Sequence, residues 1–269
     1  PEMKTVIAEK LQLARDLRQA LVNDEFEVYY QPIINLKNNS IQGFEALIRW
    51  QHPEKGLVSP GEFIPCLEET GLIVAVGLVA LEKACHQFKV WEEKGFPNLQ
   101  ASVNLSPLQF RSETLLADIN AVLKKTGLSP SQLKLEITET LTVENPNQTI
   151  ALIKSLRRRG IEISIDDFGT GYSSLSYLRQ FPVNNLKIDR AFINLLEKDE
   201  SNIEIIRAIV QLGKALKMSI TAEGIESISQ LNQLRKLGCE YAQGYYFAKP
   251  MSAENIFKYL CRMNLKNEK

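Results

Sequence analysis

Five acids, Glu45, Glu136, Asp166, Asp167 and Glu223, stand in or at the ends of short apolar segments, in the company of Asn104 and Lys187. Two carboxylates about 4 Å apart repel by roughly 4 kcal/mol at an effective dielectric near 20. Five that converge therefore need protons or cations. The chain has only two histidines, His52 and His86, and four scattered cysteines, so an all-oxygen site for Mg²⁺ or Mn²⁺ is favoured over zinc or iron. The adjacent pair Asp166-Asp167 can serve two ions, one carboxylate bridging and the next reaching sideways. Two such ions clamp the attacking and leaving oxygens of an in-line phosphoryl displacement, with Lys187 placed to orient a water or stabilise negative charge. A single acid in a strand is more often a solvated group than a ligand. It is the recurrence over several strands that favours chemistry.

The elements that must position these residues follow from periodicity. Residues 6–22 carry apolar side chains at 7, 11, 14, 17 and 21, the spacing of a helix face. Two β-rich runs, 26–34 and 41–50, are joined by too few residues for a parallel crossover and must be antiparallel neighbours. Short strands expected at 100–106, 132–138, 161–167, 184–189, 218–223 and 241–247 then alternate with helices near 61–70, 73–94, 114–126, 147–159, 173–180, 201–216, 227–237 and 253–263. That alternation predicts a parallel sheet under helices. Eight strands without a linker predict one TIM-like (β/α)8 barrel with the first strand antiparallel to the rest. Residues 1–22 are expected as a helix leading into a barrel over 23–269.

The strands alternate in a chemically loaded way. Glu45, Leu47 and Arg49 share a phase, as do Ser102 and Asn104, Glu136 and Thr138, Glu162, Ser164 and Asp166, Lys187 and Asp189, and Thr221 and Glu223; Gln243 opposes Ala242 and Gly244. The apolar phase suits packing under helices. The polar phase is thus predicted to point into the barrel, near the C-terminal strand ends where barrel enzymes keep their sites.

Composition sets the bounds. The 269 residues hold 32 Lys+Arg and 32 Asp+Glu, which argues against a protein that grips DNA, RNA or an anionic membrane, since such proteins carry a basic excess. Cys66, Cys85, Cys239 and Cys261 form no C-x-x-C pair and read as reduced thiols, hence a cytoplasmic location. The apolar stretch 72–81, interrupted by Gly77, is about half of what a bilayer span needs and reads as a buried helix face. No signal peptide is visible, and the start at Pro1 within a helical pattern suggests a domain cut from a longer polypeptide. His52, in the polar stretch 51–56, and His86, on a helix, are expected at the surface. The glycine-bearing run Phe168-Gly169-Thr170-Gly171-Tyr172-Ser173-Ser174 is expected as a loop closing over the barrel mouth.

An ordered set of motifs resembles the EAL domains, phosphodiesterases that open cyclic di-GMP to linear pGpG. The set comprises Tyr30-Gln31-Pro32-Ile33, Glu45-Ala46-Leu47 within residues 44–50, Val103-Asn104-Leu105-Ser106, Leu135-Glu136-Ile137-Thr138-Glu139, Asp166-Asp167-Phe168-Gly169, Leu186-Lys187-Ile188-Asp189, Ala222-Glu223-Gly224-Ile225-Glu226 and Gln243-Gly244-Tyr245. The resemblance implies that Glu45, Asn104, Glu136 and Asp166 hold one ion, with Asp166 shared and Asp167 serving a second. It implies that Glu223 holds or deprotonates the catalytic water, with Lys187 and Gln243 as water-positioning partners. Gln31, Leu47, Arg49 and Asp189 are implied as substrate contacts, the Arg49 fork suiting a phosphate. Glu139 and Glu226 are implied as acids that keep the loop 168–174 ordered. The family further implies a homodimer through that loop and the helix after it, a bacterial signalling context, and fusion to sensor or cyclase domains. Some members are catalytically silent receptors or docking modules; none of the positions whose loss typically silences them is altered here.

Overall fold

The computed structural model of the chain describes residues 2–139, 141, 146–169 and 178–267. Helix α1 (Glu2–Val22) precedes strand β1 (Phe26–Asn35), a run of β-branched and aromatic residues suited to a pleated surface. A tight turn follows. Asn35 Oδ1 accepts from the Lys37 N–H, Asn38 Oδ1 accepts from the Ser40 N–H, and Asn39 takes the left-handed conformation that asparagine tolerates. The chain returns as β2 (Ile41–His52), antiparallel to β1 from Phe26↔Trp50 to Ile34↔Ile41.

After β3 (Gly56–Val58), α2 (Pro60–Glu69) and α3 (Ile73–Glu93), the alternating part begins. It comprises β4 (Gln100–Leu105), α4 (Pro107–Phe110), α5 (Leu115–Thr126), β5 (Leu133–Thr138), α6 (Pro146–Arg158), β6 (Glu162–Phe168), β7 (Asn185–Ile188), α7 (Arg190–Ile193), α8 (Glu200–Leu216), β8 (Ser219–Ala222), α9 (Ile228–Leu237), β9 (Tyr241–Ala242) and α10 (Ala253–Asn267). Strands β2, β4, β5, β6, β7, β8 and β9 pair in parallel in that order. Antiparallel pairing of β1 with both β9 and β2 closes an eight-stranded barrel. This is the expected TIM-like architecture with the first strand reversed. Gly43 permits the tight β2–β4 contact, because a Cβ there would lie 2.0 Å from the Gln100 carbonyl oxygen.

The outward phase of the strands is apolar and buried: Val103, Leu135, Ile163, Ile165, Leu186, Ile188 and Ile220 are all at most 4% exposed. Each such side chain contributes about 1.5–3 kcal/mol by leaving water. A second core lies beyond the barrel wall, where Leu17 of α1 packs with Phe26, Trp50 and the Phe63 and Leu67 side chains of α2. Thus α2 is held from behind by the N-terminal helix.

Some expectations change. The polar stretch 51–56 is the end of a hairpin, in which Trp50, Gln51 and His52 pair with β3. His52 Nδ1 accepts from the backbone N–H groups of Glu54 and Lys55, and its ring is 4.9 Å from that of Trp50. It is a half-buried turn anchor, while His86 is exposed. The strand expected over 241–247 ends at Ala242. The Ile225 N–H donates to the Gln243 carbonyl and the Tyr246 N–H to the Ile225 carbonyl, which draws the chain away from the sheet. Helices α4 and α7 are too short to show periodicity, but each opens on a side-chain cap, Ser106 and Asp189. Most of the helix expected over 173–180 lies outside the described residues. Among the described residues no helix is long and apolar enough to cross a membrane.

Candidate active site

The predicted inward phase is realised at the C-terminal end of the barrel. Register places Glu45 beside Ser102, Asn104 beside Glu136, Thr138 beside Asp166 and Lys187 beside Thr221. Lys187 is the hub. Its ammonium, 2% exposed, donates to Glu136 Oε2 and lies 2.6 Å from Glu223 Oε1, 3.2 Å from Asp166 Oδ1 and 3.7 Å from Glu45 Oε2. The Glu223 contact is an ion pair too bent to count as a hydrogen bond, so Glu223 Oε1 is buried without a hydrogen-bond partner. Glu45 is clamped by two amides, accepting from Asn104 Nδ2 at 2.7 Å and from Gln243 Nε2 at 2.6 Å. Gln243 Nε2 also donates to Gln31 Oε1 at 2.9 Å, and Gln31 Nε2 donates to the Ala248 carbonyl.

Consecutive strand residues point to opposite faces, yet Asp166 and Asp167 both serve the mouth. The reason is an irregularity in the β6–β7 pairing between Ile165 and Phe168, with Asp167 at φ 53°. An aspartate in the left-handed region is strained backbone of the kind that collects at functional sites. The Asp167 N–H donates to Asp166 Oδ1, fixing the first carboxylate. Carboxylate oxygens of Asp166, Asp167 and Glu223 all lie within 4.8 Å of one another, and among the described residues this is the one such acidic, histidine or cysteine cluster. An all-oxygen set that includes a buried carboxylate oxygen without a hydrogen-bond donor fits a hard divalent cation. Glu136 and Glu45 adjoin the cluster through Lys187, and Asn104, exposed at the mouth, keeps its amide oxygen as a candidate ligand.

The outer residues fall on the rim. Two clefts meet at Leu47. One, of about 380 Å³, runs from Asp166, Asp167 and Asn104 past Arg49 to α2. The other, of about 220 Å³, is bounded by Gln31, Glu223, Gln243, Arg190 and Tyr245. Arg49 donates to the Ile48 carbonyl and lies 5.7 Å from the Tyr29 ring centre. Asp189 caps α7 through the Ala191 N–H and touches the Asp167 carboxyl. Glu139, 3% exposed, accepts from the Gly169 N–H at 2.9 Å. Gly169, at φ +99°, has no room for a Cβ, which would sit 2.8 Å from the Phe192 ring. Glu226 is exposed on the rim of the smaller cleft. Its implied role concerns a loop of which 170–174 lie outside the described residues.

Two buried residues escaped the sequence reading. Asn185 donates to Ser219 and Thr221 and accepts from Ser164 Oγ at 2.7 Å, forming a polar layer beneath Lys187. Lys134, 5% exposed, lies 3.6 Å from Glu162 at the opposite barrel end. Both share the inward parity of their strands, which was the available signal.

Burial pushes the Glu136 carboxyl up to about 7 against the pull of Lys187, with the Glu45 and Asp166 charges adding to the rise. Burial, then the Asp166 charge, raises Asp167 to about 6, and burial also holds Glu223 well above the carboxylate range. Such groups bind more protons folded than unfolded between pH 4.5 and 7, so the metal-free chain should lose stability as pH rises through that window. A divalent cation replaces those protons. Saturating Mn²⁺ should therefore raise Tm more at pH 8 than at pH 5, with proton release on binding at pH 6.5, measurable by calorimetry in buffers of different ionisation enthalpy. An equal Tm increment at both pH values would contradict this.

A closed α/β barrel of TIM type, with a carboxylate-lined mouth suited to hard cations at its C-terminal strand ends, is the class that fold and site define. Residues 14–250 match the EAL domain family, and the chain belongs to that family. It is 44% identical over 248 residues, 92% of this chain, to the bifunctional diguanylate cyclase/cyclic di-GMP phosphodiesterase MucR of Pseudomonas aeruginosa. It is 38% identical over 253 residues to the cyclic di-GMP phosphodiesterase PdeR of Escherichia coli, with 94% of this chain aligned. The chain spans 36% and 38% of the length of these relatives. A solved structure described as the PaMucR phosphodiesterase in complex with c-di-GMP superposes with a TM-score of 0.88 at 44% identity, covering 91% of this chain and 99% of that one.

Proposed function

We propose that this EAL domain is a metal-dependent phosphodiesterase that hydrolyses cyclic di-GMP to linear pGpG with two ions, Mg²⁺ or Mn²⁺. The observation that carries it is the convergence of Asp166, Asp167 and Glu223 beside Lys187, on a fold shared with a cyclic di-GMP complex. Glu45, Asn104, Glu136, Asp166, Asp167 and Glu223 would hold the ions, which would supply positive charge to the phosphodiester and acidify the attacking water.

The chain's own groups do the rest. Glu223, in the acid cluster beside Lys187, takes the proton of the attacking water as general base. Burial alone would lower the Lys187 pKa, but Asp166, Glu136, Glu223 and Glu45 together hold it well above its usual value, so it remains a cation that positions the water and opposes the developing negative charge. Gln243 holds Glu45 and Gln31 in register. Arg49 takes a phosphate oxygen, Gln31 and Leu47 seat the nucleotide where the two clefts meet, and Asp189 supports Asp167 from the rim. Glu139 and Glu226 order the loop after β6. Homodimerisation through that loop, a cytoplasmic bacterial setting, and upstream sensor or cyclase domains in the whole protein complete the proposal.

Chromatography of cyclic di-GMP incubated with the protein and Mg²⁺ or Mn²⁺ tests it: a pGpG peak is expected, absent with chelator. Bound but uncleaved dinucleotide would point to a receptor.

A further inference from the structure

We propose that Asn185 is a positioning residue for the hydrolysis: from one pleat below the mouth it fixes how far β6 stands from β7, and so where Asp166 meets Lys187. This rests on the phosphodiesterase reading above. Side chains that follow one another on one face of a strand are two residues, about 6.6 Å, apart. Ser164, Asn185 and Thr221 each stand two residues before a group of the site, Asp166, Lys187 and Glu223 in turn. All three are at most 3% exposed, and one amide joins them. Asn185 Oδ1 accepts from Ser164 Oγ on β6 at 2.7 Å. Its Nδ2 donates on β8, to Ser219 Oγ at 2.9 Å, to the Ser219 carbonyl at 3.1 Å and to Thr221 Oγ1 at 3.1 Å. A carbonyl only accepts, so the Ser219 contact fixes which end of the amide faces β6.

The two sides of this amide do different work. Between β7 and β8 the backbone ladder runs without interruption from Asn185↔Ser219 to Ile188↔Ala222 and holds Lys187 beside Thr221 unaided. Between β6 and β7 it is broken. Regular pairing stops at Ile165↔Leu186 and resumes at Phe168↔Ile188, across the irregularity that brings Asp167 to the mouth. Asp166 falls in that interrupted stretch, although its Oδ1 lies 3.2 Å from the Lys187 ammonium. The bond from Ser164 to Asn185 ties the two strands directly beneath the gap. A displacement of about 1 Å at a reacting centre can cost about 10²-fold in rate, so this tie has leverage on turnover beyond its share of stability.

The test compares two serine variants that each remove one hydroxyl from the same amide. Ser164→Ala cuts the tie to β6; Ser219→Ala cuts a bond on the β8 side, where the regular ladder remains. Both are measured beside wild type and Asn185→Leu for Tm, for kcat and KM with cyclic di-GMP, and for Mn²⁺ affinity by calorimetry. The serine variants should show similar, small falls in Tm. Ser164→Ala and Asn185→Leu should lower kcat about 10-fold or more, change KM less than about 3-fold, and weaken Mn²⁺ binding. Ser219→Ala should keep the wild-type kcat and Mn²⁺ affinity. If Asn185→Leu does not fold, the contrast between the serine variants decides. Wild-type kcat and Mn²⁺ affinity in folded Ser164→Ala, or equal losses in both serine variants, would leave Asn185 a stabilising role only and overturn the assignment. Wild-type protein that cannot cleave cyclic di-GMP overturns the hydrolytic reading instead, and Mn²⁺ affinity across the same variants then decides whether Asn185 places Asp166.

Discussion

Glu45→Ala should lower pGpG formation by about 10²- to 10³-fold, the loss typical when a group that stabilises transition-state charge is removed, with Tm changed by only a few degrees. Glu45 ties the two halves of the mouth together: one oxygen accepts from Asn104 on β4, the other from Gln243 across the closure of the barrel. Its removal frees both amides and opens one side of the proposed metal site. The fold tolerates the change because Lys187 keeps Glu136, Asp166 and Glu223 as partners, and because one fewer carboxylate relieves repulsion in the metal-free state. Steady-state kinetics at saturating Mn²⁺ and a thermal melt check both halves. Near-normal turnover would remove Glu45 from the site.

Lys187→Met has the larger effect on stability. Four carboxylates now share one buried cation, and taking away one partner of a buried ion pair costs about 3–5 kcal/mol, a Tm fall of about 10 °C for a chain of this size. The sign with pH is specific. The folded Lys187 pKa lies well above 10.5, so the side chain carries its charge at pH 5 and at pH 8 alike and loses it only in strong alkali; any difference between pH 5 and pH 8 comes from the acids around it. In the variant the acids face one another alone. The raised pKa values of Glu136 and Glu223 make the protein weaker as pH rises from about 4.5 through neutrality, so the deficit should be small at pH 5 and large at pH 8 without metal. Added Mn²⁺ should recover part of it at pH 8. A pH-independent deficit would mean that packing, and not charge, is what Lys187 supplies. Turnover should be lost in either case.

The inward polar phase was readable because strand parity is strict: once Ile163 and Ile165 face the helices, Ser164 and Asp166 must face the barrel. The same parity would have yielded Asn185, which lies two residues before Lys187. Asp167 was different. Alternation sends it outward, and only the irregular β6–β7 pairing with its left-handed backbone brings its carboxyl to the mouth. Nor could spacing pair Gln31 with Gln243, 212 residues apart and joined only because β1 and β9 close the barrel. His52 was misplaced because a three-residue strand after a charged turn has too little pattern to show.

The most direct test of the metal-centred mouth is turnover of cyclic di-GMP as Mn²⁺ is titrated into metal-stripped protein, with bound metal counted per chain on the same samples. No pGpG is expected in the stripped protein, and full turnover is expected only as occupancy approaches two. Undiminished hydrolysis by the stripped protein would contradict the central claim, as would an absence of hydrolysis with two ions and the dinucleotide bound.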